Sequence, residues 1–405
     1  MAGPTGHLRG RSPPPQHPRP ERNNAMVWHT VWNCTPLDGA TAQIVALEQR
    51  LSVTSNVRGG QLRVRLRAAC GAGGSSTIDA LSVTVGGGKP APLLKHGSPR
   101  IVLEHGQEVL CDPVPVAVEP GATIEISCRA GERRSAAALS PVLAHGQAQL
   151  EAQGDLALTG PAAETLDAVL SLPGLELLNA VTAIEAEAQG PVTGLVLFGD
   201  SITQMGFWPA ALERHLRAEF PGQTAVRNLG IAGNRVLHDA PKSQPTFGPA
   251  AKSRFTPQVF GDEPVGLVVV LIGVNDLAHP ASLPEAADEV VTADELLAAI
   301  GAFAGSSRRH GARSLVCTIP PFSGSDAWTV QAEAVRQEVN ARLKAETSFD
   351  AVVDLDQALT AQDAATPAQR DDLHIGDRLH PNPEGGQAIA LAIMPAMRQL
   401  LAGLP

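Results

Sequence analysis

The hydrophobic pattern of the chain changes character near residue 190. Between about residues 41 and 134, short alternations of apolar and polar residues are separated by glycine and proline, as in Leu62–Arg67, Leu81–Val85 and Ile101–Leu103. A period of two with frequent turn residues is typical of antiparallel strands that bury one face. The pattern predicts a β-sandwich or jelly-roll-like accessory domain over residues 26–190, within which residues 135–190 give no firm assignment.

Residues 191–405 follow a different period. Apolar runs of strand length alternate with longer stretches of helical periodicity. The predicted strands are Leu195–Phe198, Val226–Leu229, Leu267–Ile272, Ser314–Thr318 and Ala351–Leu355. The predicted helices are Pro209–Glu219, Ala293–His310, Val330–Ala345 and Glu384–Leu401. This alternation indicates a parallel sheet covered by helices on both faces, an α/β/α sandwich whose ligand site lies at the carboxyl ends of the strands.

Composition narrows the classes of function. The chain has 405 residues and a formal net charge of -10, which favours two domains and argues against nucleic acid as a partner. No apolar run is long enough to predict a membrane span. The five cysteines include no CxxC pair, so we expect neither a disulfide framework nor a zinc site, and no cofactor.

The first 25 residues contain prolines and arginines but no apolar segment of the kind found in signal peptides. We expect residues 1–25 to be a disordered leader, or an artefact if the native chain starts at Met26. Because no signal peptide is recognisable, the expected location is the cytoplasm.

A serine follows the first predicted strand of the C-terminal half. In Gly199-Asp200-Ser201 this serine occupies the point where the strand ends and a helix begins, and far downstream His380 has Asp377 three residues before it. A serine hydroxyl becomes a nucleophile when a histidine takes its proton and a carboxylate orients the histidine. Without His380, the more plausible interpretation of Ser201 would be a helix N-cap.

Two further motifs come after the next two strands. Gly233 lies in the loop after Val226–Leu229, and Asn275 lies just after Leu267–Ile272. With the backbone N–H of Ser201, the Gly233 N–H and the Asn275 amide would give three donors, as the oxyanion of an acyl-transfer transition state requires. The alternatives are a simple turn at Gly233 and a helix cap at Asn275.

These blocks, taken together and in this order, resemble the SGNH hydrolase (GDSL esterase/lipase) superfamily. The matching residues are Gly199-Asp200-Ser201, Gly233-Asn234, Gly273–Asp276 and Asp377–His380. Arg336–Asn340 and Gly376–Asn382 resemble a subgroup that carries an N-terminal β-domain and includes proteins similar to xylan-associated esterases. The resemblance covers about residues 195–400. It is weaker over 41–120, where Ala68 and Ala69 stand in place of an expected Ser-Asn pair.

The resemblance implies a three-layer, flavodoxin-like α/β/α catalytic domain over residues 191–405. It makes Ser201 the nucleophile, His380 the general base and acid, and Asp377 the residue that orients the imidazole. It assigns the oxyanion hole to the Ser201 N–H, the Gly233 N–H and the Asn275 amide. The candidate substrate-binding residues are Asp200, Asn234 and Arg235.

The implied function is a serine esterase that hydrolyses short-chain, acetyl-type carboxylic esters through an acyl-enzyme, with acetylated saccharides among the candidate substrates. Two alternatives stay open: a thioesterase or acyltransferase that uses the same triad, and a carbohydrate-binding protein with an inactive hydrolase half. The expected partner is a small-molecule or saccharide ester. The β-domain could shape the acyl pocket or join two copies into a homo-oligomer.

Overall fold

The computed structural model describes residues 27–37, 41–67, 75–131, 134–135, 139–159, 172–261, 263–345, 348–361 and 366–404. The predicted leader, residues 1–25, and the Ala68-Ala69 pair lie outside these ranges. No helix within them is long and apolar enough to cross a membrane.

The N-terminal half of the chain is built from antiparallel strands. Its first sheet has the order β1-β14-β3-β8, and its second has the order β10-β2-β9-β5-β6, with β12 also paired to β2. Two ribbons of two strands each, β4–β7 and β11–β13, complete it. The strands are β1 (Val27–Asn33), β2 (Thr41–Thr54), β3 (Gly59–Arg67), β4 (Ser75–Ile78), β5 (Ala80–Val85), β6 (Ala91–Pro92), β7 (Ile101–Glu104), β8 (Glu108–Leu110), β9 (Thr123–Ala130), β10 (Arg134–Ser135), β11 (Leu139–Leu143), β12 (Ala148–Thr159), β13 (Leu175–Asn179) and β14 (Val181–Ala188).

The two larger sheets share one apolar core. Leu62 and Val64 of β3 pack in the same buried cluster as Leu51 of β2, Leu81 of β5 and Ile124 of β9. Two antiparallel sheets that bury their inner faces together form a sandwich. The prediction of an antiparallel, β-rich region ahead of the catalytic half is therefore confirmed, and part of the segment without a sequence assignment completes it as β11 to β14.

The C-terminal half contains a parallel sheet of five described strands in the order β16-β15-β17-β18-β19. Counted from β15, this is the 2-1-3-4-5 order of flavodoxin-like folds, so the predicted architecture is confirmed. Apolar side chains of the three central strands are almost fully buried. The strands are β15 (Thr193–Gly199), β16 (Thr224–Gly230), β17 (Leu267–Leu271), β18 (Arg313–Cys317) and β19 (Ala351–Val353).

Helices cover this sheet in two groups. On one side α8 packs against α2, and on the other α5 packs against α3 and α6. The helices are α1 (Ser201–Gln204), α2 (Phe207–Glu219), α3 (Ala251–Phe260), α4 (Val274–Ser282), α5 (Ala293–Arg309), α6 (Val330–Ala345), α7 (Leu355–Leu359) and α8 (Pro383–Ala402). Two short 3₁₀ turns span Pro245–Phe247 and Pro284–Ala286.

Four of these helices are absent from the sequence prediction. Helices α3 and α4 contain Pro257 and Pro280 in their C-terminal parts, and proline ordinarily argues against a helix. Helices α1 and α7 are too short to show a period. The predicted strand Ala351–Leu355 ends earlier than expected, because Asp354 caps α7 by accepting a hydrogen bond from Gln357 N.

The two halves are joined at the edge of the parallel sheet. Asn33 of β1 bonds both backbone groups of Asn228 in β16, with its Nδ2 2.8 Å from the carbonyl oxygen and its Oδ1 2.7 Å from the N–H. The buried side chain of Asn228 donates in turn to Gln147 Oε1 at 2.6 Å and to Thr203 O at 2.8 Å. The N-terminal region thus contacts β16, and Asn228 links this junction to α1, the helix that contains Ser201.

We expect Asn228→Ala to lower the free energy of unfolding by about 1–3 kcal/mol, because buried hydrogen-bonding groups of the residues around it lose their partner. Urea denaturation measures this change. Gln149→Ala, a polar-to-alanine change at an exposed position of β12, serves as the control and should have little effect. Equal stability of the Asn228→Ala variant and the wild type would contradict this account of the junction.

Candidate active site

Ser201 is the first residue of α1, directly beyond the carboxyl end of β15. The residue before it, Asp200, is the N-cap, and its Oδ1 accepts a hydrogen bond of 3.0 Å from Ile202 N. The capping function considered for Ser201 therefore belongs to Asp200. The Ser201 hydroxyl is left for another partner.

The turn that presents Ser201 depends on glycine. A Cβ atom on Gly199 would lie 2.2 Å from Thr203 Oγ1 and 2.4 Å from Leu271 O. Because the second of these atoms belongs to the backbone of β17, it cannot move aside easily. Glycine at this position lets the strand end and the first turn of α1 approach each other closely.

His380 lies within hydrogen-bond distance of Ser201. Its Nε2 is 2.8 Å from Ser201 Oγ, and its Nδ1 is 2.5 Å from Asp377 Oδ2. The other carboxylate oxygen of Asp377 accepts the backbone N–H groups of Leu379 and His380 at 3.0 and 2.9 Å. The structure thus places the serine, the histidine and the aspartate in one continuous line of hydrogen bonds.

The loop that carries Asp377 and His380 is fixed by a second histidine. Nδ1 of His374, a buried side chain, accepts the backbone N–H groups of Gly376 and Arg378 at 3.0 and 3.2 Å. Arg378 adopts a left-handed φ of 59°, so the chain turns sharply between the aspartate and the histidine. Local sequence does not mark His374 for this role, because its partners are backbone groups that only this turn brings together.

The charge of Asp377 is favoured by its partners. Burial raises the pKa of this carboxyl group, but hydrogen bonding and charge from the His380 ring, with the backbone N–H groups of residues 379 and 380, outweigh burial and lower the pKa to about 2. An ionised carboxylate next to Nδ1 orients the imidazole so that its Nε2 faces the serine.

Three potential donors line the cavity beside the Ser201 hydroxyl. Among the described residues, the backbone N–H groups of Ser201 and Gly233 have no protein acceptor. Gly233 has a φ of 70°, and a Cβ atom there would lie 2.3 Å from the Phe247 ring. The Asn275 amide, in the first turn of α4, donates one hydrogen bond of 3.1 Å to Asn234 O. Its second N–H is not used in that bond.

Asn275 and Asp276 do not cap α4, so the alternative of a helix cap at this motif is wrong. Gly273 is the N-cap of α4, and both residues lie inside the helix. The carboxylate of Asp276 accepts the backbone N–H groups of Val236 and Leu237 at 2.7 and 3.0 Å. It therefore fixes the loop that follows Gly233.

The three candidate substrate-binding residues lie behind the cavity. Asp200 caps α1, whereas Asn234 donates to Phe247 O and Pro249 O and accepts from Arg254. Arg235 is buried and pairs with Glu289 and with Asp239 O. None of the three side chains is among the described residues that line the cavity at Ser201, so these contacts support the loops rather than meet a ligand.

The cavity at Ser201 has a volume of about 320 Å³ and is also lined by Gly233, Asn275, Asp377 and His380. His279, one helical turn after Asn275, lines it too and stacks on the Phe247 ring with 5.3 Å between centroids. Burial, with a smaller contribution from the Arg235 charge, lowers the pKa of His279 to about 4, so its ring is neutral near neutral pH. A larger, more polar cavity of about 640 Å³ lies between α2 and strands β2 and β12.

The part of the chain that the structure describes contains no group of three or more His, Cys, Asp or Glu side chains arranged to hold a metal ion. The four described cysteines, at positions 34, 111, 128 and 317, are unpaired.

Fold and site together define a three-layer α/β/α hydrolase with a serine at the carboxyl end of its first strand. Residues 197–388 match the model of the GDSL-like Lipase/Acylhydrolase family. The chain thus contains the domain of a carboxylic ester hydrolase.

Several solved structures are similar to this chain over about half of its length. LAE5, an alpha/beta hydrolase enzyme from the metagenome of Lake Arreo, Spain, is 24% identical, with 52% of this chain and 98% of that chain covered and a TM-score of 0.40. An acetyl xylan esterase from Geobacillus stearothermophilus is 21% identical, with 52% and 95% covered and a TM-score of 0.40. A carbohydrate acetylesterase family member from Sinorhizobium meliloti is 18% identical, with 52% and 100% covered and a TM-score of 0.40. A comparison with curated protein sequences gives no match.

The buried carboxyl group of Asp200 generates a prediction about pH. Burial raises its pKa to about 7, against weaker opposition from the Ile202 N–H and nearby charges. The folded protein therefore binds a proton at Asp200 that the unfolded chain releases near pH 4, and this contribution to stability is lost as the pH rises towards 7. Asp200→Asn keeps a capping oxygen but has no proton to lose. As the pH rises from 4 to 7, we expect its free energy of unfolding to increase relative to that of the wild type by about 1 kcal/mol per pH unit.

Urea denaturation of both proteins between pH 4 and pH 8 measures this difference. Asp288→Asn, at an exposed aspartate, is the control and should run parallel to the wild type. A constant difference between the Asp200→Asn variant and the wild type across the range would contradict the raised pKa.

Proposed function

We propose that this protein is a serine esterase in which Ser201, His380 and Asp377 form a catalytic triad. The observation that carries the proposal is the continuous line from Ser201 Oγ to His380 Nε2 at 2.8 Å and from His380 Nδ1 to Asp377 Oδ2 at 2.5 Å. A helix cap or a simple turn needs neither contact. An inactive carbohydrate-binding protein would also have no need of a serine whose hydroxyl contacts an imidazole held by a carboxylate.

In the first half of the reaction, Ser201 Oγ bonds to the carbonyl carbon of the ester while its proton passes to His380 Nε2. The resulting tetrahedral intermediate carries its negative charge on the former carbonyl oxygen. As the intermediate collapses, the bond to the alcohol oxygen breaks and that oxygen takes the proton from His380. An acyl-enzyme on Ser201 and a free alcohol result.

In the second half, a water molecule replaces the alcohol. His380 takes a proton from the water as its oxygen bonds to the acyl carbon, and returns the proton to Ser201 Oγ when the acid leaves. Throughout, Asp377 stays ionised and stabilises the imidazolium, in keeping with its lowered pKa.

The oxyanion is stabilised by the donors that face the same cavity. We assign this role to the Ser201 N–H, the Gly233 N–H and the Asn275 amide, since the two backbone groups have no acceptor in the described structure. Donors already fixed in place before the charge develops contribute most to catalysis because they need no reorganisation.

The proposed substrates are carboxylic esters with short acyl groups. Acetylated saccharides belong to this class, and two of the similar structures are an acetyl xylan esterase and a carbohydrate acetylesterase family member. A thioesterase or acyltransferase would pass through the same acyl-enzyme, so product analysis with added thiol or alcohol acceptors separates these activities.

We expect Ser201→Ala to lower kcat for p-nitrophenyl acetate by about four to six orders of magnitude, because the nucleophile is removed. The same substitution should abolish labelling by a fluorophosphonate probe. Ser282→Ala, at an exposed serine, is the matched control and should be labelled at the wild-type rate. Activity of the Ser201→Ala protein within tenfold of the wild type would overturn the mechanism.

We expect Asn275→Ala to lower kcat by about a hundred- to a thousandfold with a much smaller change in KM, since the amide donates most strongly when the oxyanion has formed. Steady-state kinetics on the same ester give both constants, and a thermal denaturation curve shows that the variant is folded. A rise in KM at unchanged kcat would mean that Asn275 only helps to bind the substrate.

A further inference from the structure

One wall of the cavity at Ser201 comes from the N-terminal β-rich region. Pro141 and Leu143 of β11, Leu175 of β13 and the nearby Leu172 face this cavity, together with Met205 and Ile375 of the hydrolase half. All six side chains are apolar, and all except that of Leu143 are partly exposed. Partly exposed apolar side chains that converge on a concave site can bury further surface against a ligand.

The wall continues a packed face of the β11–β13 ribbon. Leu143 and Leu175 are directly paired across the ribbon. Side chains on one face of a strand recur every second residue, and on this face Leu139 and Leu177 are buried in an apolar cluster. Leu143 and Leu175 thus extend an apolar surface that is already fixed at its other end.

Hydrogen bonds hold the ribbon in place. Gln49 of β2 donates to Leu177 O at 2.6 Å and accepts from Asn179 N at 2.9 Å, which anchors the C-terminal part of β13. The segment after β11 is anchored to the catalytic half through Gln147 and Asn228, 2.6 Å apart. The wall is therefore part of the folded site and needs no closing movement.

The cavity offers few free polar groups to a charged or highly hydroxylated ligand, since its Gln204 side chain already bonds Thr35 O and Ala232 N. Its described lining contains no Lys, Arg or Glu, and its ionisable side chains are those of Asp377, His380 and His279. The first two are engaged with each other, and the third is neutral near neutral pH. An apolar group on the substrate fits this lining better than a row of sugar hydroxyls, whose hydrogen bonds with water would be lost.

We propose that the β11–β13 ribbon forms an apolar subsite of the active site, which binds an aliphatic group of the ester and makes esters with chains of about three to six carbons better substrates than acetates of small alcohols. This inference rests on the proposed function, since it adds a substrate preference to the Ser201 esterase. The aliphatic group could belong to the acyl chain or to the alcohol, and the chemistry of recognition is the same for both.

Two substrate series separate these sources. The first consists of p-nitrophenyl esters from acetyl to hexanoyl, and the second of alkyl acetates from methyl to hexyl. In the series whose chain occupies the subsite, kcat/KM should rise by up to about fourfold per methylene, because burial of a CH₂ group contributes about 0.8 kcal/mol. A rise in either series supports the subsite, and a fall with chain length in both overturns it.

Leu175→Gln tests the role of the ribbon. It keeps a similar volume but introduces a polar amide. In the series whose chain occupies the subsite, the ratio of kcat/KM for the six-carbon ester to kcat/KM for the shortest ester should therefore fall at least tenfold. Leu175→Met keeps an apolar side chain and should preserve the ratio. Glu176→Gln changes the next residue, which is exposed and outside the described cavity lining, and should leave all rates at wild-type values.

The outcomes distinguish the two proposals. If Leu175→Gln leaves the ratio unchanged, the subsite is wrong, whereas the esterase proposal stands as long as the wild type hydrolyses the esters and Ser201→Ala does not. If the wild type hydrolyses none of the esters and Ser201 is not labelled, both fail. Thermal denaturation reports folding, and Leu172→Gln, outside the strands, provides a second test if the Leu175→Gln protein does not fold.

Discussion

The arrangement of the site depends on one buried cation, the guanidinium of Arg254. It donates to the strand-end carbonyls of Gly199 and Leu229 at 2.8 and 2.9 Å and to Asn234 Oδ1 at 2.9 Å, and its central carbon lies 4.0 Å from the centre of the Phe198 ring. Burial of a charge is unfavourable unless hydrogen bonds replace water, and here they do. Burial lowers the pKa of Arg254 to about 9, opposed by the Asp200 carboxyl group. Since Ser201 and Gly233 come just after the two clamped strand ends, their N–H groups are fixed relative to each other.

His380 reaches Ser201 by a different route. Its loop follows β19, at the opposite edge of the sheet from β16, and is fixed by its own contacts. His374 accepts two backbone N–H groups, and Asp377 accepts two more. Ser201 and the proposed oxyanion donors thus belong to one hydrogen-bonded unit, and His380 with Asp377 belongs to another. They meet at the 2.8 Å contact between Ser201 and His380. Donors and base that are fixed before the substrate arrives are what electrostatic stabilisation of a transition state requires.

The sequence predicts the parts of this site that depend on local order along the chain. Apolar runs and helical periods were sufficient for the parallel sheet, and the motif at Ser201 lies at the predicted strand end. The assignment of the oxyanion donors and the division at residue 190 stay predictions.

Contacts between distant segments could not be predicted from the sequence. Arg235 pairs with Glu289, 54 residues further along the chain, and local sequence does not encode that contact. The role of Arg254 is hidden for the same reason, since its acceptors are backbone carbonyls. The Asp200 cap is local, but the order Gly199-Asp200-Ser201 does not say which of the two polar residues caps α1.

The wall formed by β11 and β13 could not be predicted from the sequence. It comes from the segment that showed no clear period, and contacts such as those of Asn33 and Gln147 with Asn228 make it part of the site. An oxyanion hole stabilises a charge that every ester develops, so it cannot by itself distinguish one ester from another. Discrimination must come from groups that contact the rest of the substrate, and each buried methylene changes the selectivity by a small, additive amount. In our proposal the α/β/α half places the catalytic groups, whereas the choice of substrate depends on how the β-rich half packs against it.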